Sequence, residues 1–430
     1  MTNILIMKNI TTILLLFFTV HLFSFSQINY YNYFEDSSLR IDFVLTGNSK
    51  VQSAHLMELK EEPFWGGTKK NLIDTFGYGE YRFYMYDSST HDTIYSSGFC
   101  TLFEEWKTTE EAKDVSKAFY QTVSCPFPKN IVEIEIKARE RGGTYSSLYK
   151  TVIDPVSYNI SREKPKSAEV TKVVYNGSSD KNIDIVFIAE GYTKDEQDKF
   201  IGDLKRLTDY LFSFPPYNKL KDKFNIWAVG AISEQSGCDN PREDVWVKTA
   251  VNSSFNTFNI DRYLESYDVK SIRDYAANAP YDQIYILVNS DKYGGGGIFN
   301  HFSLTTVDNV LSKEVFIHEF GHAFAGLADE YYSSEVAYVD FFNIKIEPWQ
   351  PNITTLVNFD KKWNALLAKK TPIPTPPTDT LNVGVYEGGG YMTKGIYRPA
   401  IDCRMKTNEA EGFCPACQKA IIDMVTFLTE

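Results

Sequence analysis

The chain has 430 residues, with 44 Lys and Arg against 56 Asp and Glu, for a formal net charge of −12. At 43% hydrophobic and 23% charged residues it has the make-up of a folded chain of two or three domains, which excludes a mainly disordered or collagen-like protein. The acidic balance and the lack of any dense basic run exclude a dedicated nucleic-acid binder, which needs Lys and Arg against phosphates.

In chain order, residues 1–26 read as an export signal. Lys8 supplies the positive start, an apolar run extends from Ile13 to Phe25, and Ser24 and Ser26 are the small residues before a cut at Gln27. The run is too short for a membrane anchor, no Cys follows the cut, and no later segment is apolar enough to span a bilayer. The mature chain is therefore expected to be exported, as a periplasmic, cell-surface or secreted protein without a transmembrane segment.

Residues 27–160 are expected to form an all-β sandwich. Leu39–Leu45, Tyr81–Tyr86 and Ile131–Ala138 alternate apolar and polar residues. Turn signals recur at Gly47-Asn48, Gly66-Gly67, Asp87-Ser88-Ser89 and Gly142-Gly143. The two histidines here, His55 and His91, are isolated. The polar stretch 161–167 reads as a linker.

From residue 168 the pattern changes to alternating strand and helix, as in an α/β domain. Ile183–Ala189 is an apolar strand, and Thr193 opens a helix reaching about Phe212 with Phe200, Leu204, Leu207 and Leu211 on one stripe. Phe224–Ile232 and Ile284–Val288 are further strands, and Ile298–Leu304, after the glycines 294–297, is expected at a sheet edge. A helix follows from about Asn309 to Ala325, then a Pro-rich surface loop at Thr371–Pro377, then a last helix from Pro415 to Leu428. The region from about Lys166 onward is expected to fold without the preceding domain.

Export permits disulfides. Cys100 with Cys125, and Cys403 with Cys414 or Cys417, are the pairings that respect the two chain halves. Cys414-Pro-Ala-Cys417 lacks the βαβ context of a redox motif. With three local Cys and no nearby His it also falls short of a four-ligand zinc site.

The helix before Gly326 carries His318-Glu319-Phe320-Gly321-His322, an H-E-x-x-H motif. Residues four apart share a helix face, so both imidazoles reach one metal ion, and Glu319 sits beside them as a general base for water. The apolar flanks Val315, Phe316, Ile317, Phe320, Ala323 and Phe324 bury this helix. Zinc suits such a site, because an open position lets it acidify water. A third ligand is needed. In the pattern H-E-x-x-H-x-x-G-x-x-H a Gly breaks the helix three residues before it. Here Gly326 comes one residue late and Asp329 lies three beyond it, so Asp329 is the expected third ligand, with Glu330 as the alternative and His301 as a more distant one. Met405, in Asp402-Cys403-Arg404-Met405-Lys406, is placed as the Met of a structural turn beneath the metal. Tyr391, Tyr397 and Arg398 lie just upstream as candidate stabilisers of an oxyanion.

The run His318–Tyr331, the stretch Gly390–Pro399, the Cys403-Arg404-Met405 turn and the strand Ile183–Tyr192 together resemble the IgA-peptidase family of bacterial zinc metallopeptidases. The resemblance covers about 168–430, and the β-rich region before it is similar to the family's N-terminal domain. It implies a metzincin-like α/β (α+β) catalytic domain, zinc, and hydrolysis of peptide bonds in extracellular protein or glycoprotein substrates. By position it implies His318, His322 and Asp329 as ligands and Glu319 as base. The alternative is a catalytically weak adhesin or glycan- or protein-binding module on a peptidase scaffold.

Overall fold

The computed structural model describes residues 28–332 and 342–430, so the export signal read from residues 1–26 lies outside the described residues. The first half begins with one turn, α1 (Tyr30–Tyr33), followed by the antiparallel pair β1 (Phe34–Gly47) and β2 (Gln52–Glu62). Next come β3 (Tyr81–Asp87), β4 (Thr93–Phe99), the short helices α2 (Leu102–Trp106) and α3 (Glu111–Asp114), and β5 (Lys117–Pro128). β6 (Val132–Arg139), β7 (Tyr145–Ile153) and the two-residue β8 (Ile160–Ser161) complete it. The sheets run β5-β1-β2-β8 and β4-β3-β6-β7. Period-two alternation aims Leu39, Ile41, Phe43 and Leu45 of one sheet and Phe83, Met85, Ile134 and Ile136 of the other into a single core.

The second half holds β9 (Glu169–Val174), β10 (Ile183–Glu190), α4 (Gln197–Leu211), α5 (Tyr217–Leu220) and β11 (Phe224–Gly230). β12 (Ser253–Ser254), β13 (Glu265–Ser266), α6 (Val269–Ala276), β14 (Gln283–Val288), β15 (Gly295–Ile298), β16 (Phe302–Thr306) and α7 (Ser312–Ala325) follow. The chain closes with the hairpin β17 (Tyr386–Gly389) and β18 (Met392–Arg398), then α8 (Pro415–Thr429). One sheet, ordered β15-β16-β14-β10-β11-β9, organises this half; its inner strands are parallel and its two edge pairs antiparallel. β10 and β14 are buried along their whole length, as central parallel strands are. Alternate residues of β10 serve the two faces. Ile185 and Phe187 meet α4, α7 and α8, while Val186 and Ile188 meet α6. Thr193 and Glu196 form a capping box ahead of α4. Among the described residues no helix is long and apolar enough to cross a membrane.

Two expectations change. The edge strand is made by the glycines themselves, at Gly295–Ile298, and the chain turns at Asn300 (φ 50°) before β16. The reason is the closeness of α7: a Cβ on Gly297 would lie 2.3 Å from the Glu319 carbonyl oxygen. Each of the six cysteines, Cys100 and Cys125 included, is free of a disulfide.

The two halves also share buried interactions. Arg40 of β1 and Lys60 of β2 reach Asp274 of α6 at 2.8 and 2.9 Å, and Tyr281 donates to Glu62 at 2.7 Å. Ile298 is packed in the sandwich core, and the Cys100 N–H donates to the Phe299 carbonyl at 2.9 Å. Lys166, in the stretch read as a linker, is tied to α6 through Asp274 O and Ser271 Oγ.

Candidate functional site

The site is built on α7 and the loop that leaves it. Val315, Phe316, Ile317, Phe320, Ala323 and Phe324 anchor the helix in the core, so His318 and His322 emerge on one face with their Nε2 atoms 3.0 Å apart. Gly326 takes φ 62°, the left-handed conformation that ends a helix without a Cβ penalty. The Leu327 N–H then bonds back to the Gly321 carbonyl at 3.2 Å. The buried Asn352 side chain clamps the next residue from both sides, accepting from the Ala328 N–H at 2.7 Å and donating to the Ala328 carbonyl at 2.8 Å. The Gly390 N–H holds the Asp329 carbonyl at 2.9 Å, and the Glu330 N–H donates to Met405 O at 2.7 Å. The outcome is an Asp329 Oδ1 lying 3.0 Å from His318 Nε2 and 3.3 Å from His322 Nε2. Glu330 turns the other way, toward Asn352 Nδ2 and Cys417 Sγ.

The outer nitrogens of both imidazoles are occupied. His318 Nδ1 lies 2.9 Å from Arg404 O and His322 Nδ1 lies 2.6 Å from Leu327 O. A carbonyl only accepts, so each Nδ1 carries a hydrogen, which leaves Nε2 as the atom that presents a lone pair to a bound metal. The Arg404 carbonyl is delivered by the turn that also holds Met405. Met405 is fully buried, and its Sδ would be 2.8 Å from a Cβ on Gly321. Gly321 thus lets that turn come up under α7.

Two lone pairs and a carboxylate oxygen converge, with edges of 3.0, 3.0 and 3.3 Å. A tetrahedral ion bound at about 2.0–2.1 Å has ligand–ligand edges of about 3.3 Å. The donor set therefore fits a divalent transition metal, and His318, Glu319 and His322 form one compact group of candidate metal ligands. Burial pushes the Asp329 carboxyl up, but His322 and His318 outweigh it and hold the group far below the usual carboxylate range. Burial raises the Glu319 carboxyl, against the opposing pull of His318 and His322.

These groups open onto a cleft of about 880 Å³ lined from both halves of the chain. Tyr391 is in it. Its hydroxyl donates to Asp329 Oδ2, and its ring meets Tyr331 edge-on at 5.3 Å. Tyr391 sits at φ 64°, a conformation a bulky residue rarely adopts, held by its N–H on Tyr331 O at 3.0 Å. Tyr397 lies outside the cleft lining, its backbone paired with Thr354. Arg398 donates to the carbonyls of Glu387 and Gly388. His301 is buried beside Arg273, away from the converging donors.

Sequence reasoning missed Glu105, Arg262 and Tyr263, which also line the cleft. Glu105 comes from α2 of the sandwich half, accepts from the Tyr263 hydroxyl, and is pushed up to about 7, chiefly by burial. The two partners are 158 residues apart in the chain, and no local pattern marks either.

The family described as IgA Peptidase M64 matches residues 171–382 and 377–425, and the family described as Peptidase M64 N-terminus matches residues 29–150. A search of curated proteins finds no match. The first match spans more than half of the chain and takes in α7, the ligand loop and the Met405 turn; the second falls on the β-sandwich half. The chain belongs to the IgA Peptidase M64 family, with that family's N-terminal domain ahead of its peptidase domain.

Proposed function

We propose that this peptidase is an exported, zinc-dependent endopeptidase with a metzincin-like catalytic domain, acting on extracellular proteins or glycoproteins. We divide it into a signal at 1–26, a sandwich at 27–160, a linker at 161–167 and the catalytic region 168–430. The observation that carries the reading is the Nε2–Nε2–Oδ1 triangle, whose imidazoles are each fixed through Nδ1.

In this reading His318, His322 and Asp329 hold the ion. Zinc supplies Lewis acidity, which acidifies a water and polarises the scissile carbonyl. Glu319 takes the proton of the attacking water and passes it to the leaving amine nitrogen. Its burial makes the carboxylate a stronger proton acceptor than an exposed one. Tyr391 holds Asp329 Oδ2 and so leaves Oδ1 for the ion. The glycine strand β15 borders the cleft beside Glu319, with Gly295 bridged to Tyr263 on its outer side. The test is digestion of a peptide library by the full chain, with and without chelator. Internal cleavage that chelator abolishes and zinc restores is expected. Cleavage indifferent to chelator, or release of terminal residues alone, would overturn the proposal.

A further inference from the structure

Behind the ligand loop, three cysteines that the sequence scatters over two elements come together. Cys403 opens the turn that carries Arg404 and Met405, Cys414 caps α8, and Cys417 lies in the first turn of that helix. Glu330, the residue after Asp329, points at them. Its Oε1 is 3.1 Å from Cys417 Sγ, and all four donor atoms lie within 4.8 Å of one another in fully buried surroundings. Sequence alone found three local cysteines and no fourth donor, because the fourth comes from 87 residues upstream.

The spacing of these atoms selects among the things they could do. Cys403 Sγ and Cys417 Sγ are 3.8 Å apart. A disulfide needs about 2.05 Å. Two thiolates on a tetrahedral ion with metal–sulfur bonds of about 2.3 Å are about 3.8 Å apart. The Cys414 N–H is aimed at Cys403 Sγ at 3.3 Å, the kind of donor a bound thiolate accepts. The positive end of the fifteen-residue α8 falls on its N-cap, Cys414, and favours negative charge there. Glu330 Oε2 is buried and makes no hydrogen bond among the described residues. A buried carboxyl oxygen without a hydrogen bond, beside three sulfurs, is a donor set that a divalent cation completes.

We propose that Glu330, Cys403, Cys414 and Cys417 form a second metal site, a closed structural site for a thiophilic divalent cation such as zinc. Binding forms three metal–sulfur bonds and one metal–oxygen bond, and each thiol gives its proton to solvent. The ion ties three pieces together: the loop that presents Asp329, the turn whose Arg404 carbonyl orients His318, and α8. The site stands or falls independently of any metal on His318, His322 and Asp329.

The test uses the full chain isolated without added reductant or chelator. Elemental analysis should find two zinc equivalents per chain, and cobalt(II) exchange should give a near-ultraviolet thiolate-to-cobalt charge-transfer band. The double variant His318→Ala/His322→Ala should keep one equivalent and the band, and Cys417→Ser should lose both the band and one equivalent. A wild-type cobalt protein without the band would overturn the proposal, and needs no variant to fold. So would denaturing alkylation that finds two of the three cysteines joined in a disulfide. One equivalent in the wild type and none in the double variant would leave the catalytic centre standing and remove this site.

Discussion

Replacing Asn352 by Ala tests how the third donor is positioned. Asn352 touches no part of the ligand triangle, yet its side chain satisfies both backbone groups of Ala328, at 2.7 and 2.8 Å, and meets Glu330 at 3.0 Å. Truncation leaves a buried N–H and a buried C=O without partners. Each costs about 1–3 kcal/mol, so the loss in stability is about 2–6 kcal/mol. The residue after Ala328 is Asp329, so metal affinity should fall as well, by the roughly 10–100-fold typical of removing an outer support of a ligand. Urea unfolding reads the first effect and competition with a chelating dye reads the second. An Asn352→Ala protein that unfolds at the wild-type urea concentration and binds zinc as tightly would refute the reasoning. It would mean that the Gly390 and Met405 backbone bonds suffice to hold the loop.

Asp329→Ala should weaken zinc binding by more than the roughly 100-fold upper range of an outer support, measured by the same competition; an unchanged affinity would remove Asp329 from the ligand set. Arg40→Met should destabilise the chain by about 3–5 kcal/mol, because Asp42 and Asp274 lose a buried guanidinium at 2.8 Å each; a change below about 1 kcal/mol in chemical denaturation would contradict a buried network. Burial, with the Arg273 charge beside it, lowers the His301 pKa well below its ordinary value. The unfolded chain takes a proton on this ring at about pH 6.5 while the folded chain resists it, so stability falls as pH drops below about 6.5. His301→Gln should flatten that part of the stability–pH curve, and an unchanged slope would count against the assignment.

What the sequence made legible was local. The stripe Phe200–Leu211 and the Thr193 cap are short-range patterns, and α4 forms where they lie. The four-residue spacing of His318 and His322 and the glycine at 326 likewise act within one helix and its end. The edge strand was misplaced because the sequence of glycines says nothing of α7, whose approach requires them. Glu105 and Tyr263 were invisible for a related reason: they meet only when the sandwich docks on the second half. Tyr391 and Tyr397 were equivalent as sequence, and their separation depends on the β17–β18 hairpin, which turns one toward Asp329 and the other away from the cleft.

The central claim is that Glu319 acts on water at a metal held by its neighbours, and Glu319→Gln tests it most directly. Metal content and peptide turnover are measured on the same preparation. The account predicts wild-type zinc with turnover reduced by at least about 10²–10⁴-fold, since both imidazoles and Asp329 remain while the base is gone. Full zinc with turnover near wild type would contradict it.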